Sequence, residues 1–373
     1  MMKILLCPDS FKGSLSAEEA SRIMEKAVKA VLPDAETLCV PLADGGEGSI
    51  DCLGADKVAV RVSDPFLQPI DSFYGKLDGK AIIESAAAIG LPLVGEHKDP
   101  MNNTSYGLGQ LIRAALDNGE RDIVICLGGS ATSDGGAGAL AALGASFYHK
   151  DDPDGKPFIP TGGTLSDIDR LNLTHLDARL KDARFTLLCD VTNPLYGQNG
   201  AAYVFAPQKG ASEEDVVKLD AGLVHLAGII KKASHLDVSA LEGGGAAGGI
   251  AASFYALLGA DIKSGIETLL DLRRFDRLLE GADLVLTGEG RFDSQSLGGK
   301  AVGGVAKRAA GQGVPTVVIA GGVLDFDYGK QIAACFPIVR RPIPLADALN
   351  ESEAFLFHTV KNAVSLFACA KGR

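Results

Sequence analysis

The stretch GADLVLTGEGRFDSQSLGGKAVG, residues 281–303, decides the predicted fold of this chain. It opens with the apolar run 284–286, which is typical of a buried strand. Glycines and charged residues from Thr287 to Asp293 then predict a loop, and the residues after Lys300 predict a helix. A strand, a polar glycine loop and a helix in this order place ligand-binding residues at the carboxyl end of a parallel sheet. Packing alone does not require the carboxylates, the arginine and the lysine that are gathered here.

The two ends of the chain share one alternation of strands and helices. Residues 3–7 predict a short strand, and Ser16 with Glu19 three residues later matches the capping box that starts a helix. A second strand follows at 38–41, and the loop after it again sets carboxylates among glycines. Near the other end, residues 316–320 predict a further strand. The ends therefore predict one parallel-sheet domain.

The middle of the chain has a different character. Asp78-Gly79 lies between two strand-like segments and predicts the turn of an antiparallel hairpin. A crossover-like unit follows, with a helix at 104–118 and an apolar strand at 122–127. We therefore predict an α/β fold with a Rossmann-like parallel-sheet domain built from both termini, residues 1–62 and 281–373, and an inserted mixed α/β (α+β) domain, residues 63–280.

Composition and charge exclude several classes of function. The chain has 373 residues, of which 46% are hydrophobic, and its 36 basic and 47 acidic residues give a net charge of −11. That charge argues against nucleic acid or an anionic membrane as a partner, because both require basic surface. Seven cysteines without a C-x-x-C pair indicate reduced thiols, and no segment resembles a signal peptide or membrane span. We therefore expect a cytoplasmic protein.

Five loops combine glycine with charged or hydroxyl residues. Glycine allows backbone N–H groups to approach an anion closely, and carboxylates can hold Mg²⁺ or accept a proton from a hydroxyl group. Phosphoryl transfer requires these groups together. No Walker A motif is present, because Ala301 follows Lys300. Chemistry alone predicts an α/β enzyme that acts on a phosphorylated ligand or a nucleotide, through loops 9–14, 44–48, 128–136, 190–196 and 287–293.

At these loops the sequence resembles the bacterial glycerate kinase family. The matching motifs are long and polar, and they follow in order along essentially the whole chain. They are PDSFKGSLSA (8–17), PLADGGEG (41–48), GGSATSDGGAG (128–138), CDVTNPLYGQNGAA (189–202), FAPQKGA (205–211), GGGAAGGIAA (243–252) and TGEGRFDSQSLGGKA (287–301).

The resemblance implies an ATP-dependent glycerate kinase, a phosphotransferase that acts on an alcohol group of D-glycerate. It implies ATP and Mg²⁺ as cofactors, D-glycerate and a nucleotide as partners, and a two-domain structure with the active site in the cleft. It favours 2-phosphoglycerate over 3-phosphoglycerate as the product. A homodimer is compatible with it.

The chemistry of glycerate then suggests roles for individual residues. The reacting hydroxyl needs a base, for which Asp190 is the first candidate and Asp44 the second. The carboxylate of glycerate needs a cation, supplied by Lys12 with Ser10 or by Arg291, and Asn193 is a further substrate-binding candidate. Glu289 and Asp293 are candidates for Mg²⁺. The phosphate cradle would be the loop that carries Gly128, Gly129, Ser130, Thr132, Gly135 and Gly136.

Three alternatives remain at this point. The chain could be a kinase of another small hydroxy acid, or a non-catalytic protein that binds phosphorylated metabolites. It could also be a dinucleotide oxidoreductase, because residues 243–248 match G-x-G-x-x-G. That match is weak, since no clear strand precedes it. A helix start padded with glycine explains these residues better.

Overall fold

The computed structural model describes residues 1–43, 45–152, 155–298 and 300–372. Within them the strands are β1 Lys3–Pro8, β2 Glu36–Cys39, β3 Asp56–Ser63, β4 Pro69–Leu77, β5 Lys80–Glu84, β6 Asp122–Cys126, β7 Ser146–His149, β8 Ile168–Asn172, β9 Arg184–Leu188, β10 Asp261–Lys263, β11 Leu284–Phe292, β12 Thr316–Val323 and β13 Ala334–Pro337.

The α-helices of the same residues are α1 Ala17–Lys29, α2 Ser49–Leu53, α3 Ala86–Ile89, α4 Leu91–Val94, α5 Tyr106–Asp117, α6 Ala137–Ala142, α7 Ala201–Phe205, α8 Glu213–Ser234, α9 Ala246–Leu258, α10 Gly265–Leu272, α11 Phe275–Leu279, α12 Ala301–Gly311, α13 Leu345–Asn350 and α14 Ser352–Ala370. Short 3₁₀ helices lie at Gly162–Asp167, Ala178–Asp182, Pro207–Lys209 and Ser294–Leu297.

The chain forms two compact units. The terminal unit comprises Met1–Asp44 and Gly265–Arg373, and the inserted unit comprises Gly45–Ser264. The sequence placed these boundaries near residues 62 and 280. They lie earlier because β3 pairs with β4 in the sheet of the inserted unit, whereas α10 and α11 pack beside α12 in the terminal unit.

The terminal unit is a parallel sheet with helices on both faces. Its strand order is β13-β12-β11-β1-β2, and every neighbouring pair is parallel. Alternate residues of β1 point to opposite faces, as the period of a strand requires. Ile4 and Leu6 pack under α1 and α14, whereas Leu5 and Cys7 pack under α10, α11 and α12. The unit is therefore a doubly wound α/β fold.

The inserted unit is built on a mixed sheet. Its strand order is β10-β9-β6-β5-β4-β3, antiparallel from β3 to β5 and parallel from β5 to β10. A separate antiparallel pair is formed by β7 and β8. One large apolar core joins the sheet to α5, α6, α8 and α9. The predicted α/β fold, with a mixed α+β insertion, is confirmed.

Local sequence signals identified several elements correctly. Ser16 caps α1, with both hydrogen bonds of the capping box to Glu19 present. Asp78 and Gly79 both have positive φ, 48° and 76°, between the antiparallel strands β4 and β5. Asp-Gly is preferred in such hairpin turns, because both central residues must adopt left-handed backbone angles.

The predicted loop at 287–293 is wrong, because β11 continues through Phe292. Its ladder with β12 extends to the pairs Arg291 with Gly322 and Phe292 with Val323. Glycine makes this possible, since a Cβ on Gly288 would lie 1.8 Å from the carbonyl oxygen of Ile319. Charged residues that the sequence placed in a loop therefore project from a rigid strand.

Candidate active site

A pocket of about 580 Å³ opens at the carboxyl edge of the terminal sheet. It lies beside the ends of β1 and β11. From β1 the chain proceeds to β2 on one side, and from β11 it proceeds to β12 and β13 on the other. Ligands of open α/β sheets bind where the strand order reverses in this way. We call this cavity the terminal-unit pocket; its polar lining residues include Asp9, Ser10, Lys12, Glu289, Arg291, Asp293 and Lys300.

The loop after β1 presents Lys12 to this pocket. The amide of Asp9 donates to the carbonyl of Gly288 at 2.8 Å, which fastens the loop to β11. Phe11 is buried and exchanges backbone hydrogen bonds with Leu15, at 2.8 and 3.1 Å. Lys12 therefore lies in a tight loop that is attached to β11, and its side chain is exposed at the pocket.

Glu289 is a partly buried carboxylate with spare hydrogen-bonding capacity. Its Oε1 atom is buried and has no hydrogen-bond partner among the described residues. Burial raises the pKa of Glu289, while a hydrogen bond with Ser296 and the charges of Lys300 and Lys12 act in the opposite direction. An unsatisfied buried acceptor is costly, so this oxygen is suited to a ligand or a cation.

Asp293 is held in place at the end of β11. Its Oδ1 accepts from the amide of Gln295 at 3.0 Å, and its own amide donates to Ser296 Oγ at 3.1 Å. Arg291 Nε lies 3.5 Å from Asp293 Oδ2, and the arginine side chain is largely exposed. The pocket thus combines a carboxylate that is held by hydrogen bonds, Asp293, with the exposed cations Lys12 and Arg291.

The carboxylates of the pocket fit a magnesium ion in part. In the described ranges, no group of three or more His, Cys, Asp or Glu side chains could hold a metal by itself. Mg²⁺ is commonly bound by one or two carboxylates together with substrate phosphates and water. The unsatisfied Oε1 of Glu289, with Asp293 in the same pocket, provides that smaller set.

The predicted phosphate loop, residues 128–136, is mostly buried in the inserted unit. Asp134 is fully buried, and its carboxylate accepts from the amides of Ser105 at 2.7 Å, Gly136 at 3.1 Å and Gly138 at 3.1 Å. The amide of Gly135 donates to the carbonyl of Gly248 at 3.0 Å. Several N–H groups that were expected to hold phosphate therefore donate to other groups of the protein. Gly129, near the start of the loop, is exposed.

Lys209 is a buried cation that the sequence analysis did not single out. It is 3% exposed, and its Nζ donates to the carbonyl of Thr132 at 2.6 Å and to Ser130 Oγ at 3.2 Å. Burial lowers the pKa of Lys209 to about 8, although the charge of Asp134 acts against this shift. The motif FAPQKGA carried this lysine, but nothing in a local pattern shows that a lysine will be buried.

Asp190 and Asn193 follow β9, at the carboxyl edge of the inserted sheet. The Asp190 side chain is exposed, and its Oδ1 accepts from Ser264 Oγ at 3.0 Å. Asn193 Nδ2 donates to the carbonyl of Asn199 at 2.8 Å. Loop 128–136 follows the neighbouring strand β6, so these residues share one edge of that sheet. Asp44, the second candidate base, lies outside the described residues.

Glu84 is another buried acid that the sequence analysis missed. It ends β5, and its Oε1 accepts from the amide of Ile50 at 2.7 Å. Burial raises the pKa of Glu84, opposed by hydrogen bonds from the Ile50 and Gly48 amides. A Cβ on Gly128 would lie 2.7 Å from Gly46 Cα, so the loop held by Glu84 packs directly against loop 128–136.

The glycines at 243–248 pack against other loops of the inserted unit. Turns, not a strand, precede them in the described chain. A Cβ on Gly248 would lie 2.2 Å from the carbonyl oxygen of Thr132, and one on Gly245 would lie 2.4 Å from that of Pro194. Close backbone packing therefore explains these glycines, and the dinucleotide fingerprint lacks its strand.

Among the helices of the described residues, none is both long enough and apolar enough to cross a membrane.

Comparisons with known proteins agree on one family. The model of the Glycerate kinase family matches residues 4–368. Glycerate 2-kinase of Escherichia coli K12 is 46% identical over 87% of this chain and 86% of its own length. Glycerate kinase of Bacillus cereus is 41% identical over 99% of both chains. The crystal structure of a protein described as a candidate glycerate kinase 2, from Salmonella typhimurium LT2, superposes with a TM-score of 0.86 at 40% identity and full coverage of both chains. The chain therefore belongs to the glycerate kinase family.

Proposed function

We propose that this protein transfers the γ-phosphoryl group of ATP to a hydroxyl group of D-glycerate. Membership of the glycerate kinase family supports the activity and the substrate. The observation that carries the proposal is the terminal-unit pocket, which is lined by three cations and two carboxylates: Lys12, Arg291, Lys300, Glu289 and Asp293. Cations that hold anionic groups, beside carboxylates that hold a metal, are what phosphoryl transfer requires.

In this reaction Glu289 and Asp293 would hold Mg²⁺, which neutralises charge on the phosphates when it is bound. Ser10, Lys12 and Arg291 would contact the anionic groups of the reactants. The hydroxyl group of glycerate gives up its proton as the new phosphorus–oxygen bond forms, and ADP leaves. We assign the role of base to Asp190, whose exposed carboxylate is oriented by Ser264. Asp44 remains the second candidate.

The product we favour is 2-phosphoglycerate. This preference follows the relative that is named glycerate 2-kinase. The cytoplasmic location, the homodimer and a role for Asn193 stay predictions from the sequence. So does the expectation that residues of both units serve one active site.

Product analysis by NMR tests the reaction, the substrate and the regiochemistry together. The protein is incubated with ATP, Mg²⁺ and D-glycerate, and the expected result is a phosphoester on carbon 2 with one ADP formed per product. A phosphoester on carbon 3 would support the proposed kinase activity and contradict 2-phosphoglycerate as the product.

A panel of other hydroxy acids separates the two alternatives. Turnover of another acid in place of D-glycerate would establish the kinase of a different substrate. Binding of nucleotide or phosphoglycerate without turnover of any acid would favour the non-catalytic binding protein.

A further inference from the structure

We propose that the terminal-unit pocket is the nucleotide site, with the nucleoside of ATP on an apolar wall and its phosphates beside Lys12 and Lys300. The proposal rests on the proposed function, because it names the reactant that this pocket takes. It moves the triphosphate away from loop 128–136 of the inserted unit.

The size of the pocket indicates a large ligand. Its volume is about 580 Å³, and pockets of roughly 300–1,000 Å³ enclose drug-sized ligands. A three-carbon hydroxy acid would leave most of that space empty. A nucleotide, with a base, a sugar and a chain of phosphates, matches it.

The pocket also has an apolar wall that a hydroxy acid cannot use. Ile338 and Val339 follow β13, and Leu345, Ala348 and Leu349 belong to α13. None of the residues of α13 is buried, and Leu345 is 74% exposed. Glycerate carries a charge or a hydroxyl on every carbon, whereas a purine offers a flat apolar face. Apolar surface in this pocket would therefore be covered by the base and not by the acid.

The opposite side of the pocket carries the charges that phosphates and a metal need. Lys12 and Lys300 both lie close enough to Glu289 to act on its charge, and Arg291 lines the same side. Glu289 lines the same pocket, and its buried Oε1 has no hydrogen-bond partner among the described residues. These charges lie beside β1 and β11, at the switch point of the terminal sheet, which is where doubly wound folds bind mononucleotides.

Loop 128–136 offers a triphosphate few free backbone amides, although the buried hydroxyl groups of Thr132 and Ser133 have no hydrogen-bond partner among the described residues. The amides of Gly136 and Gly138 donate to the buried carboxylate of Asp134, and that of Gly135 donates to Gly248. The nearby cation, Lys209, is already hydrogen-bonded to the backbone and side chain of the same loop. A triphosphate would have to displace several buried hydrogen bonds to bind there.

The test compares two charge-matched variants of α13. Ala348→Glu places a carboxylate on the apolar wall, whereas Ala346→Glu places the same charge on an exposed position of the helix that does not line the pocket. Calorimetry measures binding of Mg-ADP and, separately, of inorganic tripolyphosphate to the full chain, without glycerate. Leu345→Ser, at a mostly exposed residue, provides a second variant that leaves the fold unchanged.

We expect Ala348→Glu to weaken ADP binding by about 10-fold or more, because the apolar wall then carries a charge that the base must desolvate. Ala346→Glu should weaken it by less than about 2-fold, and Leu345→Ser by about 3-fold. Tripolyphosphate, which has no base, should bind the two glutamate variants about equally.

Three results would overturn the proposal. They are equal ADP affinity for both glutamate variants, a higher KM for D-glycerate with unchanged ADP affinity in Ala348→Glu, and no ADP binding to the unmodified chain. The measurement of ADP affinity does not depend on turnover. If the protein does not phosphorylate glycerate but Ala348→Glu selectively weakens ADP binding, the nucleotide site is supported and the proposed function is contradicted. Normal glycerate phosphorylation with equal ADP affinities gives the opposite outcome.

Discussion

The terminal-unit pocket and loop 128–136 make an instructive pair. Each follows a strand in the parallel part of its sheet, and each mixes glycines with charged residues. In the pocket, Lys12 and Arg291 are exposed and Glu289 keeps an unsatisfied oxygen. In the loop, the buried carboxylate of Asp134 accepts five hydrogen bonds and Lys209 is buried against the backbone. The hydroxyl groups of Thr132 and Ser133 have no partner among the described residues, so the contrast concerns the backbone amides and the charged groups.

The difference lies in where the hydrogen-bonding capacity goes. Buried polar groups are nearly always paired, so a buried glycine loop uses its N–H groups to hold the protein together. A loop at the surface can keep the same groups for a ligand. Glycines and carboxylates in a sequence are therefore compatible with a binding site and with an internal anchor, and burial decides between the two.

The largest effect on stability should follow from removing the buried carboxylate of Asp134. We expect Asp134→Ala to lower the free energy of unfolding by about 3–5 kcal/mol, because several buried donors lose their acceptor and the Lys209 cation loses a nearby negative charge. Urea unfolding measures the loss. Asp56→Ala, at an exposed residue, should change stability by less than about 0.5 kcal/mol. A loss below about 1 kcal/mol for Asp134→Ala would show that the loop does not depend on this carboxylate.

Because Lys209 is a buried cation, the stability of the protein should depend on pH. Its folded-state pKa of about 8 lies below the ordinary lysine value of 10.5, so the unfolded chain binds more protons between these values. Relative to Lys209→Met, the native chain should therefore gain stability as pH rises from 8 to 10.5, by about 3 kcal/mol at most. Parallel unfolding curves across this range test the sign, and Lys232→Met controls for loss of one charge. Stability that falls relative to Lys209→Met would contradict the burial argument.

Replacing Asp190 tests whether this exposed carboxylate of the inserted unit is the catalytic base. If it is the base, Asp190→Asn should lower kcat by about 10²-fold or more with little change in stability, since the side chain is exposed. Steady-state kinetics at saturating ATP and glycerate measure the effect. Near-normal turnover of the folded variant would remove Asp190 from this role and leave Asp44 as the candidate.

Glu289 should behave as the opposite of Asp134. Glu289→Gln removes a partly buried charge without breaking a hydrogen bond to Oε1, so the free energy of unfolding should stay the same or rise. Activity should nevertheless fall by about 30-fold, because a carboxylate is lost from the proposed metal site. Kinetics and urea unfolding of one preparation provide both values. A large loss of stability with normal activity would show that Glu289 holds the fold together, as Asp134 is expected to do.

The sequence predicted much of this fold because its signals are local. The capping box at Ser16, the Asp-Gly turn at 78–79 and the return of strand–helix alternation after residue 281 each depend on a few neighbouring residues. The end of β11 was mispredicted for the opposite reason. Gly288 and Arg291 belong to a strand only because β12 lies alongside, and that pairing is not visible in a local pattern.

The same limit applies to the site. Ser10, Lys12, Glu289, Arg291 and Asp293 were predicted individually, and the structure brings them into one pocket. Lys300, which does not belong to a Walker A motif, also lines that pocket. Lys209 and Glu84 were missed, because burial of a charge depends on segments distant in sequence, here loop 128–136 for Lys209 and the start of α2 for Glu84.

The discontinuity of the terminal unit has a consequence for synthesis on the ribosome. β1 lies between β2 and β11, and its residues Ile4, Leu5 and Leu6 are fully buried. β11 follows only after the 220 residues from 45 to 264 have been made. β1 ends at Pro8 and β11 begins at Leu284, so at about 5–20 residues per second the nascent β1 would wait on the order of 15–55 seconds for this neighbour. β2 follows β1 early and can pair with one edge, whereas the other edge of this apolar strand stays unpaired until β11 is made. The inserted unit therefore delays the completion of the sheet that it interrupts.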